Sequence, residues 1–255
     1  MVTRRLANTV LGPVVSAGTC AAIGMTIAAV LFAGPAAAAT FAVPAVYPTI
    51  QDAIAAAADG DTVVVADGRY RAAGFRDIDF LGKQVLVKSA SEDPELCILD
   101  CSSDTGGRHR GFVFQSQESS GAMLRGFRIV GGDVTGRGGG ILIQSQSGPV
   151  TAPTIKGCIV DSCRADGGGG GIVIDGASAS ATLDDCRVRY NEGHGLLIDR
   201  ETEAATLAAT NCRFVDNGLA GAFINAPGGG GGGGRSRSGR ATTVFTDCWF
   251  NENDD

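Results

Sequence analysis

The chain has 255 residues, 39 of them glycine, with one tryptophan and a formal charge of −6. An acidic chain with little basic clustering is a poor partner for nucleic acid or an anionic membrane surface. Abundant glycine with few long apolar runs points to many short strands joined by tight turns.

In chain order, Arg4 and Arg5 lead into a stretch without a charged residue until Asp52, containing "AAIGMTIAAVLFAG" and then "PAAAAT". This is read as a secretory signal peptide over residues 1–39, with small residues for cleavage near Ala39. An uncleaved membrane anchor is the alternative, since the run is long enough to span a bilayer. Cys20 follows Thr19, which does not fit a lipobox. Cleavage removes two arginines and no acid and leaves 19 basic against 27 acidic residues, a charge of −8.

The next stretch is "VPAVYPTIQDAIAAAADGDTVVVADGRYR", within the lead and cap segment 40–62 and the first coil beyond it. It resembles the opening of right-handed parallel β-helix proteins of the pectin lyase-like superfamily. The resemblance implies an extended lead, a short amphipathic helix near 49–58, a "GDTV" turn and the first strand of a coil. It also implies that Ile50, Ala53, Ile54 and Ala57 face inward and plug the first coil, whose open end would otherwise expose apolar side chains.

Self-similarity then dominates residues 63–255. "LRGFRIVGG", "IKGCIVDSC", "LDDCRVRYN", "ATNCRFVDN" and "FTDCWFNEN" begin at 124, 155, 183, 209 and 245, so the period is 31, 28, 26 and 36 residues. Three columns follow. Leu124, Ile155, Leu183, Ala209 and Phe245 form the first. Phe127, Cys158, Cys186, Cys212 and Cys248 form the second, and Ile129, Val160, Val188, Phe214 and Phe250 the third. Inward residues alternate as a strand requires. A further short strand follows in each unit, with inward positions at Ile141 and Ile143, Ile172 and Ile174, Leu196 and Ile198, and Ala222 and Ile224. Gly140, Gly171, Gly195 and Gly221 precede these strands. Helical repeats of this length would show a 3.6-residue period instead. The expected fold is therefore all-β, a right-handed parallel β-helix of roughly seven coils with a short N-terminal capping helix. The paired "GG-I" and "F/C-x-F-x-x-N" elements are similar to the repeats of polymorphic outer membrane proteins.

Within that frame the column cysteines are small core residues. Seven cysteines after the leader leave at least one unpaired, and a stacked thiol ladder is favoured over full pairing. Cys97 with Cys101, or Cys158 with Cys163, are the better disulfide candidates. Asn191, Asn217 and Asn253 recur five residues after the column cysteine and form a structural asparagine ladder at a bend. Seven glycines and "RSRSGR" form a flexible loop insertion at 227–240.

Chemistry is harder to find. The fragment "CRVRYNEGHGLLID" at 186–199, with Asp185 immediately before it, offers Asp185, Arg187 and His194 as weak candidate catalytic residues. Arg187 alternates with Cys186 and Val188 and points outward; His194 is read as a solvent-facing turn residue. The "DD" at 184–185 and "GHG" at 193–195 resemble the polygalacturonase set, but lie in one coil, and the companion "NTD"-like and "RIK"-like elements are missing. The chain opening also resembles that of pectin methylesterases, whose Gln-containing motifs and paired catalytic aspartates have no counterpart here. A lyase would need acids around Ca²⁺ with an Arg or Lys base; Gln144, Asp175, Asp199 and Asn225 take equivalent places after the last strand of successive coils, and solvated strand ends are the favoured reading. Two histidines after the leader, His109 and His194, and no CxxC pair leave zinc without ligands. The expectation is a secreted or cell-surface module, non-catalytic and without cofactor, binding a polysaccharide or a surface protein on a strand face. The alternatives are a polysaccharide lyase or glycoside hydrolase acting on acidic polysaccharide, with Ca²⁺ if a lyase, and an adhesin or passenger fragment. The last rests on "NENDD", where no cap is recognisable.

Overall fold

In the computed structural model, residues 37–102, 107–145, 150–199, 206–225, 243–251 and 253 are described. The signal peptide, Cys20 and the glycine insertion at 227–240 lie outside them, apart from the last residues of the leader segment.

Among the described residues the two-residue alternation becomes three long parallel sheets of eight, seven and six strands, with a fourth of two short strands, Asp133–Val134 and Arg164–Ala165. Strands adjacent in a sheet belong to successive coils, so every crossover is one turn of the solenoid. The first sheet stacks Val63, Val87, Leu124, Ile155, Leu183, Ala209 and Phe245 in one register column. The second stacks Leu99, Ile129, Val160, Val188, Phe214 and Phe250. The third stacks Ile78, Phe112, Ile141, Ile172, Leu196 and Ala222. These inward columns are buried except at the last coils. They are the columns expected from the sequence, in the expected register.

The cap is a helix over Ile50–Ala56. Thr49 is its N-cap, with Oγ1 accepting from the Asp52 N–H at 3.1 Å, which satisfies one of the amides left unpaired at a helix start. Ile50, Ala53, Ile54 and Ala57 are all buried against the first coil.

Two corners flank the strands of the second sheet from Arg128–Val130 to Arg213–Val215, and both take a left-handed backbone. At the first corner stand Gly126, Gly157, Asp185, Asn211 and Asp247, with φ from 52° to 74°. At the second stand Gly131, Ser162, Tyr190 and Asp216, with φ from 51° to 65°. Glycine, Asn and Asp tolerate this region best, which explains much of the first column. Asp185 is therefore, before anything else, a corner residue.

Between the corners, the column cysteines lie in the core. Cys158, Cys186 and Cys212 are buried, and each Sγ–H points at the carbonyl two residues back, 3.3 to 3.4 Å away. All seven described cysteines are free thiols, which corrects the two disulfide candidates. Cys158 and Cys163 flank the strand Ile159–Asp161, and Cys97 begins the strand Cys97–Asp100 that Cys101 follows. At about 3.3 Å per residue, either pair is held more than 10 Å apart, beyond the ~7 Å limit for a bridge. Burial pushes the Cys158 thiol up to about 11 and that of Cys163 to about 12, so both stay protonated.

The asparagine ladder is present and continuous. Asn191 Nδ2 donates to Asn217 Oδ1, and Asn217 Nδ2 to Asn253 Oδ1, both at 3.0 Å. Cys163 occupies the same place one coil earlier, where its N–H donates to Asn191 Oδ1 at 3.0 Å.

Candidate functional site on the second sheet

The outward positions of the second sheet are set by the same alternation that fills the core. One register column carries Arg128, Ile159, Arg187, Arg213 and Trp249; its neighbour carries Val130, Asp161, Arg189, Val215 and Asn251. Over the last three coils these side chains enclose a cleft of about 500 Å³ lined by Arg187, Arg189, Arg213, Val215 and Trp249. A smaller recess of about 280 Å³ continues it toward the first corner, where Asp185, Asn211 and Asp247 form the rim.

Charges on this sheet are unevenly balanced. Asp161 is buried and accepts from Arg128 at 2.6 Å and Arg189 at 3.3 Å, while Glu95 meets Arg128 at 2.9 Å. Arg69 is paired with Asp100 at 2.6 Å. Arg187 and Arg213 are exposed register neighbours and have no carboxylate partner among the described residues. Trp249 continues their column and is 61% exposed. Such a floor can bind an anion through guanidinium N–H groups and stack a flat ring on the indole.

Of the three candidates named from sequence, the structure brings two together. Asp185 and Arg187 line the same recess. His194 lies beyond the second corner, just before the strand Leu196–Asp199 of the third sheet, and lines neither part of the cleft. It is not the solvent-facing turn residue expected. Its ring is half-buried and stacks on Phe223 at 4.6 Å, its Nδ1 accepts from the Ala220 N–H at 3.3 Å, and burial lowers its pKa. The bond to Nδ1 places the imidazole proton on Nε2.

The acids after the third-sheet strands are not left as solvated strand ends either. Gln144, Asp175, Asp199 and Asn225 are in register, and Arg137 pairs with Asp175 at 3.2 Å and with Asp199. Asn225 Nδ2 also donates to Asp199 Oδ1 at 2.9 Å. A guanidinium occupies the space between two carboxylates that a Ca²⁺ site would need open. Among the described residues, no three His, Cys, Asp or Glu side chains gather as a metal site.

Sequence reading did not find Arg213 or Trp249. The signal was there in the aligned units, since Arg187, Arg213 and Trp249 each follow the column cysteine by one residue.

Parallel sheets wound into single-turn coils, capped by one helix, define a right-handed parallel β-helix. The family described as "Right handed beta helix region" matches residues 100–255, well over half of the chain, and the chain belongs to it. No curated protein matches. Among solved structures, the chain is similar to pectin methylesterase from Aspergillus niger in penultimately deglycosylated and in deglycosylated form. The identities are 14% and 12%, over 86% of each chain, with TM-scores of 0.37 and 0.32. Among the described residues, no helix is long and apolar enough to cross a membrane.

Proposed function

We propose that this protein is a secreted or cell-surface β-helix module that binds carbohydrate on the outer face of its second sheet without cleaving it. The carrying observation is Trp249, an exposed indole at the end of an arginine-lined cleft formed by strands of successive coils. Aromatic faces with polar tips around them suit sugar rings, which present apolar C–H faces and hydroxyl edges. The cleft is shallow and built on rigid strands, as binding to an extended chain requires, whereas enclosed pockets serve small ligands.

Asp185 and Arg187 share a recess, but the other candidates do not join them there. His194, the only histidine among them, lies outside the cleft, and the acids of the third sheet are engaged by Arg137. The second reading is a glycoside hydrolase, favoured by two carboxylates, Asp185 and Asp247, at the rim of one recess. They are two coils apart in the first-corner column, so their backbones are separated by roughly 10 Å.

The test is retention of the folded chain on immobilised polysaccharides, with the eluted glycan checked for new reducing ends and unsaturated products. Retention without cleavage, lost in Trp249→Ala, is expected. Cleavage abolished by Asp185→Asn would replace the binding reading with the hydrolase. Retention unchanged in Trp249→Ala would remove the cleft from consideration.

A further inference from the structure

Arg187 and Arg213 are direct register partners on adjacent parallel strands, about 4.8 Å apart along the solenoid. Like charges placed directly opposite on one sheet face destabilise it. Elsewhere on this sheet the fold relieves such charges: Arg69 has Asp100, while Arg128 and Arg189 share the buried Asp161 and have Glu95 within reach. At Arg187 and Arg213 nothing described does so. Asp185 and Asp247 stand on the rim, but among the described residues neither forms an ion pair with them.

We infer that Arg187 and Arg213 form a two-coil clamp for an oxyanion carried on the glycan, a carboxylate or a sulfate ester, beside the ring-stacking face of Trp249. This deepens the carbohydrate reading above and rests on it. Each guanidinium presents a planar fork of N–H donors that meets two oxygens of either group at once. Binding relieves the repulsion between the two arginines, so the unliganded face bears a cost that the ligand removes. The chain carries a formal charge of −6, which opposes diffuse attraction of a polyanion and confines binding to a local positive site. The clamp needs no divalent cation, since the positive charge is the protein's own.

Trp249 is the one tryptophan of the sequence, so its emission reports on this cleft alone. The full chain would be titrated with dextran, carboxymethyl dextran, dextran sulfate and poly-glutamate of matched length, with EDTA present. Expected is a Trp249 emission change with either or both charged dextrans and none with dextran at the same concentration. The response should weaken steeply as salt rises, since charge-assisted contacts at an exposed site are screened. The double variant Arg187→Gln/Arg213→Gln should bind at least about tenfold more weakly, a conservative allowance for two charge-assisted contacts. Its thermal midpoint should stay level or rise, which separates lost binding from lost folding. Arg164→Gln removes one charge from an exposed arginine of the short strand Arg164–Ala165 that pairs with Asp166 and Glu192, and should leave affinity unchanged.

The clamp is overturned if dextran binds as well as its charged forms, if the double variant keeps its affinity, or if Arg164→Gln weakens binding as much as the double variant. The first of these leaves the carbohydrate reading standing. Poly-glutamate binding as tightly as the charged dextrans would keep the clamp and sink the carbohydrate reading; silence from every polymer sinks both. Carboxymethyl dextran against dextran sulfate then tells which oxyanion is taken.

Discussion

Asn217 shows how much one side chain does in a stack. Its Oδ1 accepts from both the N–H and Nδ2 of Asn191, and its Nδ2 donates to the carbonyls of Val188 and Val215 and to Asn253. Alanine at 217 leaves two buried donors of Asn191 without that acceptor and takes the donor from Val188 O. Unsatisfied buried groups cost about 1–3 kcal/mol each, so Asn217→Ala should lower unfolding free energy by about 3 kcal/mol in urea titration. A loss within 0.5 kcal/mol would mean that water or a neighbouring group replaces the ladder. Asp185 teaches the opposite lesson about side-chain chemistry. An acid in a doublet looks reactive in sequence, yet its place in a left-handed column with Gly157, Asn211 and Asp247 explains its residue type through backbone geometry. Its carboxylate is free to act at the rim only because the corner points it there.

At the scale of the coil, the asparagines and the glycines before the third-sheet strands are one device. A Cβ built on Gly195 would lie 2.7 Å from Asn217 Nδ2, and one on Gly221 2.8 Å from Asn253 Nδ2. Each glycine thus leaves the space into which the next coil's ladder side chain fits. Gly171 is tighter still, with a Cβ only 2.2 Å from the Gly195 carbonyl, a backbone atom that cannot swing away. Gly171→Ala should therefore cost about 3 kcal/mol by forcing two coils apart. Gly157 is the informative contrast. It has a φ of 57° but open space around its Cβ position, and Asn or Asp fills that place in later coils. Gly157→Asn should change the denaturation midpoint far less than Gly171→Ala. Equal losses at the two sites would contradict the division between a packing glycine and a conformational one.

Across the described coils, strands pair only with those of neighbouring coils, so stability is largely a sum of local interfaces and the ends matter most. The Ile50–Ala56 helix protects the first coil by burying Ile50 and Ile54. Ile54→Ala should cost about 2–5 kcal/mol, as a large-to-small change in a packed core does. In hydrogen exchange the loss should appear first in the strands Thr62–Val65 and Leu86–Ser89, leaving later coils protected longer. Uniform loss of protection along the solenoid would show that the coils unfold as one unit instead. The proposed binding cleft sits at the other end of the second sheet, so a cap variant that stays folded should retain the Trp249 response.

The periodic positions were legible in the sequence because a solenoid repeats one local environment. The core columns, the asparagine ladder and the capping helix could all be placed from spacing, resemblance and side-chain type. Disulfides were misjudged since nearness in sequence does not survive an extended strand, which carries Cys158 and Cys163 to opposite ends of Ile159–Asp161. His194 was misplaced for a related reason: its neighbours in the chain say nothing of Phe223, which arrives from the following coil. By itself the sequence determined the coil, its register and its inward faces, all consequences of two-residue alternation and a fixed period. Only the tertiary structure decided which outward charges are neutralised, because partners such as Asp161 for Arg128 and Arg189 come from different coils. That balance is what leaves Arg187 and Arg213 side by side next to Trp249.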